Sequence, residues 1–457
     1  MSILLTHGYY LSDDPKEQKI MKPYPPLGLL YISGYLNSKG VHNDVFDSTF
    51  YSQVQQLDFI REKQPKMIAI YTNLMTKIEV VKLIKILKTE KYNYPAIVLG
   101  GPDVSYNLGN YLAAGADFLI IGEGEETTFE LHQAIMGQSA VSDVNGIAYL
   151  ENGAVFQTPA RTKFRELDQL PLPNRDAIPN EKYLQTWKHN HGMSSMTIST
   201  QRGCPYTCKW CSTAVYGQSY RRRPAQQVAS EMKMLKDKYN PDAIWFVDDV
   251  FTISHKWLTA FHEEVVKQNA QIRFECITRA ERLNDEILRL LKEAGCFRIW
   301  IGAESGSQKI IDLMDRRVDV GHVKKMIQDT NALGIETGTF VMVGYPGEDE
   351  ADISQTIQYL KEANPTHYTI TIAYPIKGTS LYEEIEKDII VKPDWETSTD
   401  REIDFKRNYP RKYYDYAVSK VVHEVESYRE FNKRNTFKAL KHKTKSILAG
   451  ALMTLNR

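Results

Sequence analysis

Short apolar runs alternate with amphipathic stretches from the start of the chain to about residue 137. Residues 2–7 (SILLTH), 41–47 (VHNDVFD), 66–72 (KMIAIYT), 96–101 (AIVLGG) and 117–124 (DFLIIGEG) read as strands. Between them, 27–40 and 77–91 space their apolar residues with helical periodicity, the first stretch closing at Gly40. Such regular alternation predicts a parallel sheet covered on both faces. The expectation for 1–140 is a doubly wound, Rossmann-like domain with its ligand at the C-terminal ends of the strands.

Residues 146–158 (GIAYLENGAVFQT) predict a hairpin turning at Asn152-Gly153, and the proline-bearing stretch 166–179 marks a boundary. Together they make 141–194 a hairpin and linker. A second alternation follows, with strands expected at 195–201, 243–249, 272–278, 297–305, 336–344 and 367–374. Helical patterns at 224–238, 254–269, 284–294, 319–333, 349–363 and 380–388 accompany them. Six βα units predict a partial (β/α)6 barrel over 195–389, with its chemistry in the loops after the strands. Residues 390–457 are less regular, rich in Lys, Arg and Tyr, and read as a mostly helical, basic extension. The chain is thus expected to be α/β throughout its two main domains.

Composition narrows the function classes. Lys plus Arg and Asp plus Glu both number 57 in 457 residues, so no nucleic-acid or other polyanionic partner is expected. Five cysteines, an odd count, form no disulfide framework and fit a reducing compartment. The N-terminus lacks a basic leader and no stretch approaches 18 apolar residues, so a cytoplasmic location is expected.

Three of the five cysteines, Cys204, Cys208 and Cys211, fall within QRGCPYTCKWCS at 201–212, just after the first barrel strand. Three thiolates are one short of a closed structural zinc site, which His189 or His191 could complete. Alternatively they hold three irons of a four-iron cluster and leave the last one open to a chelating amino acid. Trp210 adds an aromatic face suited to an adenine ring. Cys276 and Cys296 lie in or near strands and read as buried thiols, Cys276 standing close to the C-terminal end of its strand.

C-x3-C-x2-C with an aromatic before the third cysteine resembles the radical S-adenosylmethionine superfamily. The resemblance extends through YRRRPAQQVASEMKML, IWFVDDVFT, RIWIGAESGSQKIIDLM, TGTFVMVGYPGED and YPIKGTSLY, in that order across 195–385. It implies a [4Fe–4S] cluster on Cys204, Cys208 and Cys211 that reduces S-adenosylmethionine to methionine and a 5′-deoxyadenosyl radical. By the same resemblance Asp248 and Asp249 contact the methionine amino group, although such a pair also suits a helix N-cap. Glu304 and Ser305 take a position that contacts the ribose or carboxylate, and Gly344 lies in a loop near the adenine. Arg221 and Arg223 either offset charge at the site or start a solvated helix.

The N-terminal domain resembles the cobalamin-binding domain that precedes this barrel in many family members. Its marks are Thr72 and Leu74 in TNL, Gly100 and Gly101 in GGPDVS, and Gly122 and Glu123 in DFLIIGEGEETTFEL. The D-x-H-x-x-G element is absent, since DSTFYS places Thr49 where the cobalt-ligating histidine would be. Bound cobalamin would therefore lack that ligand; a retained fold without cofactor is the alternative. The resemblance implies an enzyme that functionalises an unreactive carbon, first of all by methyl transfer from methylcobalamin. Oxidative ring closure, as in the anaerobic magnesium-protoporphyrin monomethyl ester cyclases, is the second reading. A non-catalytic iron–sulfur electron-transfer or sensor protein is the third. The partners implied are a small-molecule substrate such as a lipid or tetrapyrrole, and an external donor such as flavodoxin or ferredoxin. Lys438, Lys441, Lys443 and Lys445 ahead of SILAGALM suggest peripheral contact with an anionic membrane, against the plainer reading of a solvated terminal helix.

Overall fold

The computed structural model describes residues 3–89, 95–213 and 215–457. Residue 2 of the first expected strand and residues 90–91 of the second expected helix lie outside them. Strands β1 (Ile3–His7), β2 (Asn43–Phe46), β3 (Met67–Tyr71), β4 (Ala96–Gly100) and β5 (Phe118–Ile120) form a parallel sheet in the order β2-β1-β3-β4-β5. Alternate residues feed two cores, one on each face. Leu4, Ile68 and Ile97 pack on one side, while Ile3, Met67 and Val98 pack on the other. That two-sided burial explains the unbroken apolar runs.

The expected hairpin forms β6 (Ile147–Glu151) and β7 (Ala154–Gln157), with Asn152 and Gly153 both at positive φ, 52° and 81°. It is part of the sheet: β6 pairs antiparallel with β5 and extends the edge to seven strands.

The second domain opens with β8 (Ser195–Ile198) and a two-residue antiparallel bridge between β9 (Gln201–Arg202) and β10 (Arg221–Arg222). It continues through β11 (Ala243–Phe246), β12 (Arg273–Thr278), β13 (Cys296–Glu304), β14 (Glu336–Val343) and β15 (His367–Ile372). The order β15-β14-β13-β12-β11-β8 is parallel at every step, which is the partial six-stranded barrel. β8 and β11 end three residues before the pattern predicts. The N–H groups of Thr200 and Gln201 leave the ladder and bond the Asp248 carboxylate instead. The C-terminal ends of both strands therefore open into loops.

Beyond a short ribbon of β16 (Ile389–Val391) and β17 (Asp404–Phe405), the tail is the expected helical extension. Helices Arg411–Asn432 and Thr436–Leu455, of 22 and 20 residues, form a hairpin. Tyr413, Tyr414, Ala417, Val421 and Val425 recur at helical spacing and are buried in the barrel's core cluster. Among the described residues no helix is long and apolar enough to cross a membrane.

Candidate active site

The cysteine loop is fixed by the backbone on both flanks. Lys209 donates its N–H to Met314 O (3.1 Å) and accepts on its own carbonyl from Leu381 N (2.8 Å). Thr207 Oγ1 donates to Asp315 Oδ2 at 2.7 Å, and Lys209 pairs with Glu384 at 2.7 Å. Gly203 has φ of 83°, and a Cβ there would stand 2.5 Å from Ser219 O, so only glycine fits beside Cys204.

Cys204 and Cys208 are half-buried and Cys211 keeps solvent access. Desolvation by the surrounding protein, reinforced by Asp249 and the other two thiols, pushes the Cys211 thiol up to about 12. Burial also raises Cys204, again with Asp249 adding to it. Three thiols and a carboxylate crowded together favour a cationic occupant. Among the described residues no three His, Cys, Asp or Glu side chains converge on a single metal ion. Structural zinc takes four ligands on one ion, whereas a four-iron cluster takes each thiolate on a separate iron. His191 does not complete a zinc site, since its Nε2 lies 2.9 Å from Ile20 O and 3.1 Å from Met21 O. The donor set fits the cluster.

The two aspartates divide their work. Asp248 is buried and accepts from Thr200 N (2.7 Å), Gln201 N (3.2 Å) and the Thr200 hydroxyl. Both its oxygens hold the stretch leading into the cysteines. Asp249 makes no hydrogen bond or ion pair among the described residues, and its charge acts on Cys204 and Cys211. Burial and Asp248 raise its own pKa. Neither caps the following helix, because Ser254 does so by accepting from Trp257 N.

Glu304 sits at a register shift between β13 and β14 with φ of 64°, a left-handed conformation that costs a non-glycine residue about 1–2 kcal/mol. Desolvation pushes its carboxyl up to about 7 against the pull of Arg316 and Arg279. Arg316 Nε stands 4.0 Å from Glu304 Oε1, and Gly302 leaves room for both groups. Ser305 turns to helix Glu350–Ala363, with Oγ 3.2 Å from Thr356 Oγ1 and accepting from Ser307 N. Gly344 (φ 76°) donates its N–H to Glu348 at 2.5 Å, and a Cβ there would lie 3.2 Å from the Tyr414 ring. Burial raises Glu348 to about 8. Trp210 packs on a satellite cluster that includes Met314, Met342, Tyr345 and Phe405.

At the C-terminal edge of the first sheet, Thr72 is fully buried and its N–H bonds Gly100 O at 2.7 Å. Leu74 is half-buried just beyond it. A Cβ on Gly101 (φ 120°) would lie 2.2 Å from Thr72 O, whereas one on Gly100 would meet nothing closer than Ile120 Cβ at 3.6 Å. Gly122 (φ 89°) faces open space, its nearest neighbour being Val215 O at 3.9 Å. The Ser105 hydroxyl, in the turn after β4, and the Thr128 hydroxyl, in the helix Glu125–Ile135 after β5, are buried without a hydrogen-bond partner among the described residues. An open glycine cradle and two orphaned hydroxyls fit the polar tail of a corrinoid. Glu123 is committed elsewhere: it pairs with Arg221 at 2.6 Å and Arg202 at 3.6 Å, while Glu125 pairs with Arg202. These buried pairs join the two domains. Arg223 likewise is not solvated but pairs with Glu231 at 2.6 Å.

Neither the usual histidine-ligand position nor the histidine that ends β1 offers a free imidazole. Thr49 is buried, with its Oγ1 accepting from Tyr183 OH at 2.9 Å. His7 uses both ring nitrogens, Nε2 at 3.0 Å from Asp47 Oδ1 and Nδ1 at 3.0 Å from Ser48 Oγ.

Three residues at the barrel mouth are absent from the sequence reading. Arg279 Nη1 reaches Cys208 Sγ at 3.3 Å while its guanidinium lies 3.9 Å over the Tyr206 ring. Among the described residues, Gln201 buries both amide atoms without a hydrogen-bond partner, and Arg316 does the same with Nη1, while its Nε faces only the Glu304 carboxylate at 4.0 Å. Arg279 directly follows β12, so the rule that chemistry lies after barrel strands would have marked it.

This fold and this constellation define a radical S-adenosylmethionine enzyme. The Radical SAM superfamily model matches residues 198–360, and the B12 binding domain model matches residues 18–131. The chain thus carries a radical SAM domain preceded by a B12-binding domain, an arrangement whose cofactors are a [4Fe–4S] cluster, S-adenosylmethionine and cobalamin. It is 26% identical over 383 residues to an uncharacterized methyltransferase of Pyrococcus horikoshii, covering 82% of each chain. It is 27% identical over 399 residues to the anaerobic magnesium-protoporphyrin IX monomethyl ester cyclase of Rubrivivax gelatinosus, covering 84% of this chain and 70% of that one. Among solved structures, the cobalamin-dependent S-adenosylmethionine radical enzyme OxsB with aqua-cobalamin bound matches with a TM-score of 0.77 at 16% identity. That match covers 98% of this chain and 72% of OxsB.

Proposed function

We propose that the protein transfers a methyl group to an unactivated carbon of a small molecule, a lipid or tetrapyrrole, in a cobalamin-dependent reaction. The observation that carries this reading is the buried seam of Arg202 and Arg221 with Glu123 and Glu125. It draws the corrinoid-binding edge of the first sheet against the strand that leads into Cys204. Removing one partner of such a pair strands a buried charge at a cost of about 3–5 kcal/mol, so the two edges are held firmly together.

When bound, the cluster and S-adenosylmethionine supply a radical that takes hydrogen from carbon, and cobalamin supplies a methyl group. The chain's own residues prepare the ground. Cys204, Cys208 and Cys211 hold the cluster, and Arg279 steadies the Cys208 sulfur through a charged hydrogen bond. Asp249, unpaired among the described residues, is the acceptor for the methionine ammonium, while Asp248 keeps the preceding backbone in place. Glu304 accepts from the ribose hydroxyls, Gly344 lets the backbone approach the adenine, and Trp210 walls that side. An external donor of the flavodoxin or ferredoxin type delivers the electron.

Oxidative ring closure is the second reading, supported by similarity to the cyclase over most of both chains. The test is corrinoid dependence. Anaerobically reconstituted protein should retain stoichiometric corrinoid through gel filtration after incubation with hydroxocobalamin. Its cobalt(II) form should show no nitrogen hyperfine splitting from an axial histidine. Deoxyadenosine formed to the same extent without corrinoid would remove methyl transfer and leave ring closure standing.

A further inference from the structure

The last helix, Thr436–Leu455, has one face in the protein and one in water. Ala439, Ser446, Ala449 and Met453 form the buried seam. Phe437, Leu440, Ile447, Leu448, Leu452 and Leu455 are exposed by 81, 62, 63, 59, 39 and 79%. At about 100° per residue these six side chains share an arc of roughly 140° on the side opposite the seam. They are six of the 21 exposed large hydrophobic side chains among the described residues, gathered on one helix. A solvated terminal helix would carry polar residues there.

Charge identifies the occupant. From residue 431 to 457 there is no Asp or Glu, although the chain as a whole is neutral. Lys443 is engaged by Glu424 at 2.6 Å. Lys438, Lys441 and Lys445 make no ion pair among the described residues, and helical spacing lines them along one edge of the apolar arc. Two copies of the chain meeting through this face would bring the lysine edges together, which disfavours self-association. An apolar arc bordered by unpaired lysines matches a surface with acyl chains below and negative headgroups above.

We propose that Thr436–Leu455 is a docking helix that lies in the interface of an anionic phospholipid bilayer, with the seam still packed on helix Arg411–Asn432. The contact is peripheral, since this helix is too polar to span. Lysines near an anionic surface are each worth about a fivefold gain in partitioning, screened over a Debye length of roughly 8–10 Å.

The experiment is vesicle flotation of the full, cluster-loaded protein with phosphatidylglycerol–phosphatidylcholine vesicles and with pure phosphatidylcholine vesicles. The expected result is binding to the anionic vesicles that falls as salt rises. Lys438→Gln, Lys441→Gln and Lys445→Gln together should weaken it by roughly tenfold or more. Leu440→Ser with Leu448→Ser should abolish it. Both sets leave the seam untouched, so helix content by circular dichroism and iron content should not change. Absence of flotation with either vesicle would overturn the proposal, and so would equal binding of the triple lysine variant. Self-association in sedimentation velocity that Leu448→Asp abolishes, without vesicle binding, would assign the face to a second copy and also overturn it.

Discussion

The two domains present their sites at the same place, the C-terminal edge of a parallel sheet, but build them from opposite materials. The barrel mouth is made of side chains: three thiols, Asp249, Glu304 and Arg279. The edge of the first sheet is made largely of missing side chains, at Gly100, Gly101 and Gly122. In the barrel a motif residue is free to serve a ligand, because the fold does not need it; among the described residues Asp249 has no hydrogen-bond or ion-pair partner. In the first sheet the motif and the fold overlap. The backbone crossing at Thr72 O already demands glycine at 101, whatever the domain binds. A glycine motif therefore reports the fold more surely than the ligand, and a thiol motif does the reverse.

The largest test of this contrast is at the thiols. Cys208→Ala should lose the four-iron complement and all reductive cleavage of S-adenosylmethionine while the apoprotein stays folded. Cys276→Ala and Cys296→Ala should keep the iron, since both thiols are buried in the barrel core away from the triad. Stoichiometric zinc in place of iron after anaerobic purification would break the comparison at its root.

Next come two glycines expected to behave differently. Gly101→Leu should destabilise even the cofactor-free protein, by about 2–5 kcal/mol from backbone overlap and positive φ, read as a lowered denaturation midpoint. Gly122→Leu pays only the φ strain, about 1–2 kcal/mol, and should fold yet fail to retain corrinoid. If Gly101→Leu keeps full stability and loses corrinoid alone, its glycine serves the ligand first.

Glu304→Ala should weaken S-adenosylmethionine binding by roughly 1.5–3 kcal/mol with iron content unchanged. The same carboxyl gives a pH signature. Its folded pKa, about 7, lies above the ordinary 4.5, so between those values the folded state holds a proton the unfolded chain has lost. Stability of the cofactor-free protein should fall as pH rises from 4.5 through 7, and Glu304→Gln should flatten that slope. Binding that relies on the carboxylate should strengthen over the same range. Loss of iron in Glu304→Ala would move this residue to the structural side.

The smallest effect is expected at Arg279. Arg279→Gln should keep the cluster and lower its midpoint potential in redox titrations followed by electron paramagnetic resonance, because a charged hydrogen bond to a cluster thiolate favours the reduced form. An unchanged potential would limit the guanidinium to packing on Tyr206 and to the hydrogen bond that its Nη2 donates to the Arg316 carbonyl.

Local pattern carried much of this molecule. Strand and helix alternation depends on residues two to four apart, so the two parallel sheets, the hairpin turn at Asn152-Gly153 and the placing of the cysteines after a strand were all legible in sequence. At the tail the helical character was legible too, but not that Tyr413 and Tyr414 are buried in the barrel core. What only the tertiary structure decided are partnerships between distant residues. Asp248 and Asp249 are indistinguishable as letters, but Thr200, 48 positions earlier, claims the first and leaves the second free. Arg279 lies 71 residues from Cys208 and reaches it only because β12 stands two strands from β8 in the sheet. Glu123 belongs to a cofactor motif by sequence and to an interdomain ion pair by structure. Periodicity is written within a helix or strand, whereas a side chain's partner is set by which strands the sheet brings side by side.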